Sequence, residues 1–204
     1  MVGAPIGLTV GNLARPTIDG SPAAQAQAIA AHAGQYLFSS VADAAGFALL
    51  GALGVGIAML LPGRGGRFGT IGALLTVIGG VVMGGAVLTS SFVQAAIPAS
   101  LAPQVQPVIE SNAALGGLFD FALVAAVGGL LGAVGLLIGR PVPIWLTVLL
   151  IVSILISNFG GGLLGAVLSL PFLVVTALLA GALIRRSPAP EPQPLERTRT
   201  AAVA

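Results

Sequence analysis

An all-α, polytopic transmembrane helix bundle is the fold class this sequence predicts, with five full spans and a partial N-terminal hydrophobic helix. Three observations predict it. The 204 residues are 56% hydrophobic and 7% charged, with a mean hydropathy of +1.06. A soluble domain carries about 25% charged residues, so this chain lacks the polar material to cover a water-facing surface. Apolar runs recur at the length of roughly 20 residues needed to cross a hydrocarbon core of about 30 Å. The arginines alternate between the gaps that separate those runs. Arg64 and Arg67 occupy the first gap, Arg140 the third, and Arg185, Arg186, Arg197 and Arg199 follow the last run, while Arg15 alone stands apart. Short loops rich in basic residues stay in the cytoplasm, so this alternation predicts a multi-pass protein of a cell membrane with a cytoplasmic C-terminus.

Residues 1–14 are apolar but span only about 21 Å as a helix, too short to cross. No positive region precedes them, which argues against a signal peptide. Two expectations stand side by side: the outer half of a span whose beginning lies upstream, or a short segment packed on the bundle or lying at the interface. Residues 15–38 form an extracytoplasmic segment. Within it Asp19-Gly20-Ser21-Pro22 reads as a turn with Ser21 as N-cap and Pro22 at the first helical position, opening a short surface helix from Ala23 to about Ala33.

The membrane bundle occupies residues 39–186. Its spans are expected at 39–61, 69–96, 115–139, 144–158 and 162–184. Pro62 and the Gly63-Arg64-Gly65-Gly66-Arg67 turn end the first, and Arg140-Pro141-Val142-Pro143 ends the third. The run from Ile144 to Ile184 would extend about 61 Å as one helix, twice the membrane thickness. Ser157-Asn158-Phe159-Gly160-Gly161-Gly162 clusters helix-ending residues, so the run is read as a hairpin. That reading puts the C-terminal arginines on the same side as Arg64, Arg67 and Arg140. Pro98, Pro103 and Pro107 punctuate the loop before the third span. Residues 187–204, with prolines at 188, 190, 192 and 194, lack an apolar face and read as a disordered cytoplasmic tail.

Small residues let membrane helices approach closely. Gly80-xxx-Gly84, Gly128-xxx-Gly132, Gly135-xxx-Gly139 and Gly161-xxx-Gly165 fit that spacing, although 30 glycines make chance matches expected. Pro171 interrupts the last span, where a kink is expected.

Ionisable groups inside a membrane are costly and point to function by default. Asp43 and Asp120 qualify, with Gln94, Ser90 and Asn158 as polar neighbours from the same outer side. The bland alternative for Asp43 is a capping-box pattern, Ser40-Val41-Ala42-Asp43, placing the acid in a first helical turn. Asp120 is expected about 8–9 Å inside the third span by the helical rise, where an early-turn structural role competes with a substrate, proton or partner contact. Asn158 serves equally well as a turn residue. His32 has no second ligand at metal spacing, and Gly63–Gly66 lacks the Lys-Ser/Thr ending of a phosphate loop. Tyr36 and Trp145 sit where interfacial aromatics sit.

The sequence pI of about 10.5 reflects a net charge of only +2, and no basic patch with interleaved aromatics suggests nucleic acid. With no cysteine, disulfides and thiolate chemistry are excluded. No catalytic, cofactor-binding or metal-binding constellation is visible, so the chain is not expected to be an enzyme. All basic residues are arginine and Ala and Gly abound, a bias typical of GC-rich bacterial coding.

Three stretches resemble a broad set of bacterial membrane proteins with about six helices and no known activity. They are Gly7-Leu8-Thr9-Val10-Gly11-Asn12-Leu13 with Arg15-Pro16, Gly135 through Trp145, and Ala180-Gly181-Ala182-Leu183-Ile184-Arg185-Arg186. The resemblance implies no catalytic residues; it does imply a first helix extending upstream. The leading expectation is an integral membrane protein with a structural, accessory or partner-binding role. Its partners would be the lipid bilayer and another membrane protein or a second copy. The alternative is a small transporter or channel component using a polar cluster near the outer leaflet.

Overall fold

The computed structural model describes every residue except 1, 17–20, 62, 99, 102–103, 106–107, 109–110, 113–116, 119, 157–161 and 187–204. The main elements are seven helices, and no strand occurs among the described residues. They are α1 (Gly3–Ala14), α2 (Pro22–Ala31), α3 (Ala33–Leu60), α4 (Arg64–Ala96), α5 (Phe121–Gly139), α6 (Ile144–Ile156) and α7 (Gly162–Arg186). Helices α3, α4 and α5, with 28, 33 and 19 residues, are long and apolar enough to cross a membrane. Shorter apolar helices run over Ile144–Ile156 and, within α7, over Ser169–Arg185.

Helix ends follow local chemistry. Ser21 Oγ accepts from the Ala24 amide at 3.4 Å and Pro22 opens α2, so one otherwise unsatisfied amide is capped. Gly63 takes φ +66° before α4, a conformation open to glycine without a Cβ penalty. Arg140 closes α5 in the left-handed region at φ 47°, its amide bonded to the Leu136 carbonyl, and Pro141 then bars continuation. The run from Ile144 to Ile184 is divided between α6 and α7, which pack on each other; residues 157–161, where the turn and Asn158 are expected, lie outside the described residues.

Two spans begin earlier than expected. Helix α3 begins at Ala33, six residues before Ser39. The polar residues Gln35, Ser39 and Ser40 dilute hydropathy there but do not break a helix, and both serines return their hydroxyls to the Tyr36 carbonyl, at 2.8 and 2.9 Å. Helix α4 begins at Arg64 instead of Gly69, so Arg64 and Arg67 lie in its first turn. A cation there opposes the helix dipole, and both side chains are exposed.

Around the bundle the helices close a ring in the order α1, α3, α4, α5, α6, α7 and back to α1, with α3 also reaching α5 and α7. Glycine sets the tightest contacts. A Cβ on Gly72 would stand 2.6 Å from the Gly128 carbonyl oxygen, and one on Gly128 2.6 Å from the Thr76 amide. The other face of α4 presents Gly80 and Gly84 to the Phe47 and Ala44 carbonyls of α3. Gly135 meets Leu61 and Gly65. Such backbone approach is the main source of helix affinity where lipid replaces water. Gly161 lies outside the described residues.

Several hydroxyls within the helices are satisfied by carbonyls of their own helix, as hydrocarbon requires. Thr76 donates to Gly72 O at 2.7 Å, Ser153 to Leu149 O at 2.7 Å, and Thr176 to Leu173 O at 3.0 Å. Thr147 Oγ1 is buried without a partner among the described residues.

The bundle has two unlike ends. Leu60, Leu61, Leu136, Val142, Leu146 and Leu179 belong to one buried cluster. It sits where α3 and α5 finish and α4 and α6 start. Arg64, Arg67, Arg140 and Arg185 lie exposed at this same end. The opposite end carries Arg15, Asp43, Gln94 and Asp120.

Candidate functional site

Asp43 is the one strongly buried ionised-type side chain among the described residues, and its setting is built by α1. Gly3, Gly7 and Gly11 recur every four residues, which puts them on one stripe of a helix. That stripe lies on α3: a Cβ on Gly7 would come 2.7 Å from the Gly46 amide nitrogen and 2.8 Å from the Ala42 carbonyl oxygen. At Gly11 a Cβ would overlap the Asp43 carboxylate itself. The missing side chain at Gly11 is therefore the space the carboxylate occupies.

Arg15 follows the end of α1 with extended backbone, φ −66° and ψ 125°, and its Nη2 donates to Asp43 Oδ2 at 2.5 Å. The Asp43 side chain is 8% exposed and that of Arg15 41%. A buried carboxylate without a partner is strongly unfavourable, so Arg15 is what makes Asp43 tolerable there. Thr9 Oγ1 and Ser169 Oγ, 3.0 Å apart, tie the other side of α1 to α7.

Beneath this ion pair the ring of helices encloses a cavity of about 320 Å³. All six helices of the ring line it. Asn12, Arg15 and Asp43 form the polar end, and Ile57, Gly132 and Leu150 lie at the other. The cause is local: α5 turns Ala122, Ala125, Ala126, Gly128 and Gly129 toward the middle, side chains too small to fill it. Where larger residues face inward, at Leu60, Leu136, Leu146 and Leu179, the space closes.

The expected polar site is therefore only partly assembled. Asp43 lines the cavity, but as an ion-pair partner in the third turn of α3, ten residues past its start, and not as a first-turn cap. Ser40 bonds back to Tyr36 O and caps nothing. Gln94 Oε1 accepts from Tyr36 Oη at 2.7 Å, joining the start of α3 to the end of α4. Ser90 Oγ donates to Val87 O of its own helix at 3.1 Å. Neither lines the cavity. Asp120 is exposed at the residue preceding α5 and its side chain caps no amide. It lies outside that helix, not 8–9 Å within it. Asn158 falls outside the described residues. Among the described residues no group of three or more His, Cys, Asp or Glu could hold a metal ion.

The site's remaining parts, the glycine stripe of α1 and Arg15, are not among the candidate residues the sequence offers. The Gly3-xxx-Gly7-xxx-Gly11 repeat was visible as a packing signal equal to the others. Arg15 had a signal too, as the one arginine outside the alternation. Comparison with protein-family models, with curated proteins and with solved structures gives no match.

Proposed function

We propose that this chain is an integral membrane protein of a bacterial cell membrane that binds a small molecule in a chamber between its helices, as a small carrier or transporter component. The observation that carries the reading is the 320 Å³ cavity with a buried ion pair at one end and packed leucines at the other. Ligand sites are typically about 300–1,000 Å³, mostly apolar, with a few placed polar groups, and this chamber has that composition. Closure at the arginine-rich end favours a one-sided binding chamber over an open channel. A purely structural or accessory role gives no reason to leave such space beside a buried charge.

In this reading α3, α4, α5, α6 and α7 are five full spans and α1 a half-length sixth. Exposed Arg64, Arg67, Arg140 and Arg185 face the cytoplasm with the C-terminus.

Fluorescence of aminoanthracene, an aromatic amine uncharged at neutral pH, tests the chamber in nanodiscs. Saturable brightening above that of empty nanodiscs is expected. Ala126→Phe, which fills the chamber, should abolish it, while Leu123→Phe on the exposed face of the same helix should not. Brightening that survives Ala126→Phe would refute the chamber.

A further inference from the structure

We propose that the Asp43 end of the chamber selects a monovalent organic cation with a short apolar tail, which takes the place of the Arg15 guanidinium on the carboxylate. This rests on the chamber reading above. The two members of the ion pair are not equivalent. Asp43 is fixed within α3, set against the Gly11 backbone and 8% exposed. Arg15 lies beyond the end of α1, 41% exposed, on a long side chain whose head can return to water.

That asymmetry decides the sign of the ligand. A cation that displaces Arg15 leaves a hydrated guanidinium and a carboxylate still paired. An anion that captured Arg15 would leave Asp43 buried and unpaired, which is heavily penalised. A neutral molecule would leave the pair untouched and gain nothing from its charge. The walls suit the cation as well. Phe47 lines the chamber four residues after Asp43, on the same helix face, where an aromatic ring attracts a positive charge. Leu50, Leu53 and Ile57 continue that face toward the closed end, a bed for the tail. A volume of 320 Å³ is at the small end of ligand pockets, so the tail is short.

Displacement of aminoanthracene from the full chain in nanodiscs by octylammonium, octanol and octanoate provides the test. The three share a tail and differ in charge. Octylammonium should displace the dye at about several-fold lower concentration than octanol, the surplus of its contact with Asp43 over the Arg15 contact it replaces, with octanoate weakest. Asp43→Asn should erase the advantage of the cation. Arg15→Gln should strengthen octylammonium by about the same factor, because it removes the internal competitor. An ion pair that only braces the fold would not produce that gain.

Equal displacement by all three, or best displacement by octanoate, overturns the cation inference while the saturable dye signal keeps the chamber. A dye signal insensitive to Ala126→Phe overturns both. Should Asp43→Asn fail to fold, Arg15→Gln decides alone: unchanged or weaker octylammonium displacement contradicts the proposal.

Discussion

The Asp43 end and the Arg140 end of the bundle are made from the same helices, yet one encloses space and the other is solid. At the Asp43 end α1 lies on α3 through Gly7, Gly11 and Gly46, and α5 offers Ala122, Ala125 and Ala126 to the centre. At the Arg140 end Leu60, Leu136, Leu146 and Leu179 meet there. Glycine brings backbones together at the periphery of both ends. What differs is the size of the residue that α5 aims at the axis, Ala122, Ala125 and Ala126 at one end and Leu136 at the other. Close helix contact and a filled interior are thus separate properties, set by different faces of one helix.

Charge follows the same division. The arginines of the solid end stay at its surface, exposed. At the chamber end Arg15 is turned onto a buried acid.

Leu179→Ala should produce the largest effect, since Leu179 is fully buried in the solid end. A loss of about 2–5 kcal/mol is expected from cavity formation, read by denaturant unfolding in mixed micelles. Ala126→Leu should cost well under that, about 1 kcal/mol or less, because the chamber has room that a packed core lacks. Equal losses at the two positions would erase the distinction between the ends.

Gly7→Leu should come next. Its Cβ would fall 2.7 Å from backbone nitrogen, and overpacking of this kind costs about 1–3 kcal/mol unless α1 moves away. The absence of native cysteine makes the displacement measurable. Thr9→Cys with Ser169→Cys should cross-link, their oxygens being 3.0 Å apart, and Gly7→Leu should suppress that cross-link.

Arg15→Ala should cost about 1–3 kcal/mol by leaving a buried acceptor unmatched. This is less than the roughly 3–5 kcal/mol of a fully enclosed pair, because water reaches one side of Arg15 and screens it. Adding Asp43→Asn to Arg15→Ala should recover part of the loss. A double variant no more stable than Arg15→Ala alone would show that the carboxylate does not need its partner.

Tyr36→Phe should be the mildest change. It removes one hydrogen bond to Gln94, worth about 0.5–1.5 kcal/mol, at the rim and away from the chamber.

Much of this arrangement was legible in the residues. The apolar runs mark the long helices, Gly63 and Arg140-Pro141 mark two of their ends, and Ser21-Pro22 marks the start of α2. The chamber was not legible, because it depends on which faces of six helices meet. Periodicity within one helix reveals a small-residue stripe but not whether the stripe faces a neighbour or a void.

Asp43 illustrates the second difficulty. Hydropathy begins the first span at Ser39, which makes Asp43 look like an acid in a first turn. The helix itself begins at Ala33, since amphipathic residues at a membrane edge lower hydropathy without ending hydrogen bonding. Six residues of error turned an interior ion pair into a cap. Asp120 moved the opposite way: the third span is expected from Leu115, whereas α5 starts at Phe121 and leaves the acid at the preceding residue. Arg15 could have been matched to Asp43 only by noticing that both break a pattern.

Modification of single cysteines by a small water-soluble methanethiosulfonate is the most direct measurement. Asn12→Cys and Thr76→Cys lie on the chamber wall, and Leu136→Cys and Leu179→Cys lie in the packed end. A chamber reached from the Arg15 side alone predicts rapid modification of the first two and protection of the last two. Modification of all four at similar rates would mean a continuous pore, and protection of all four would mean no accessible chamber; either result contradicts the two-ended bundle.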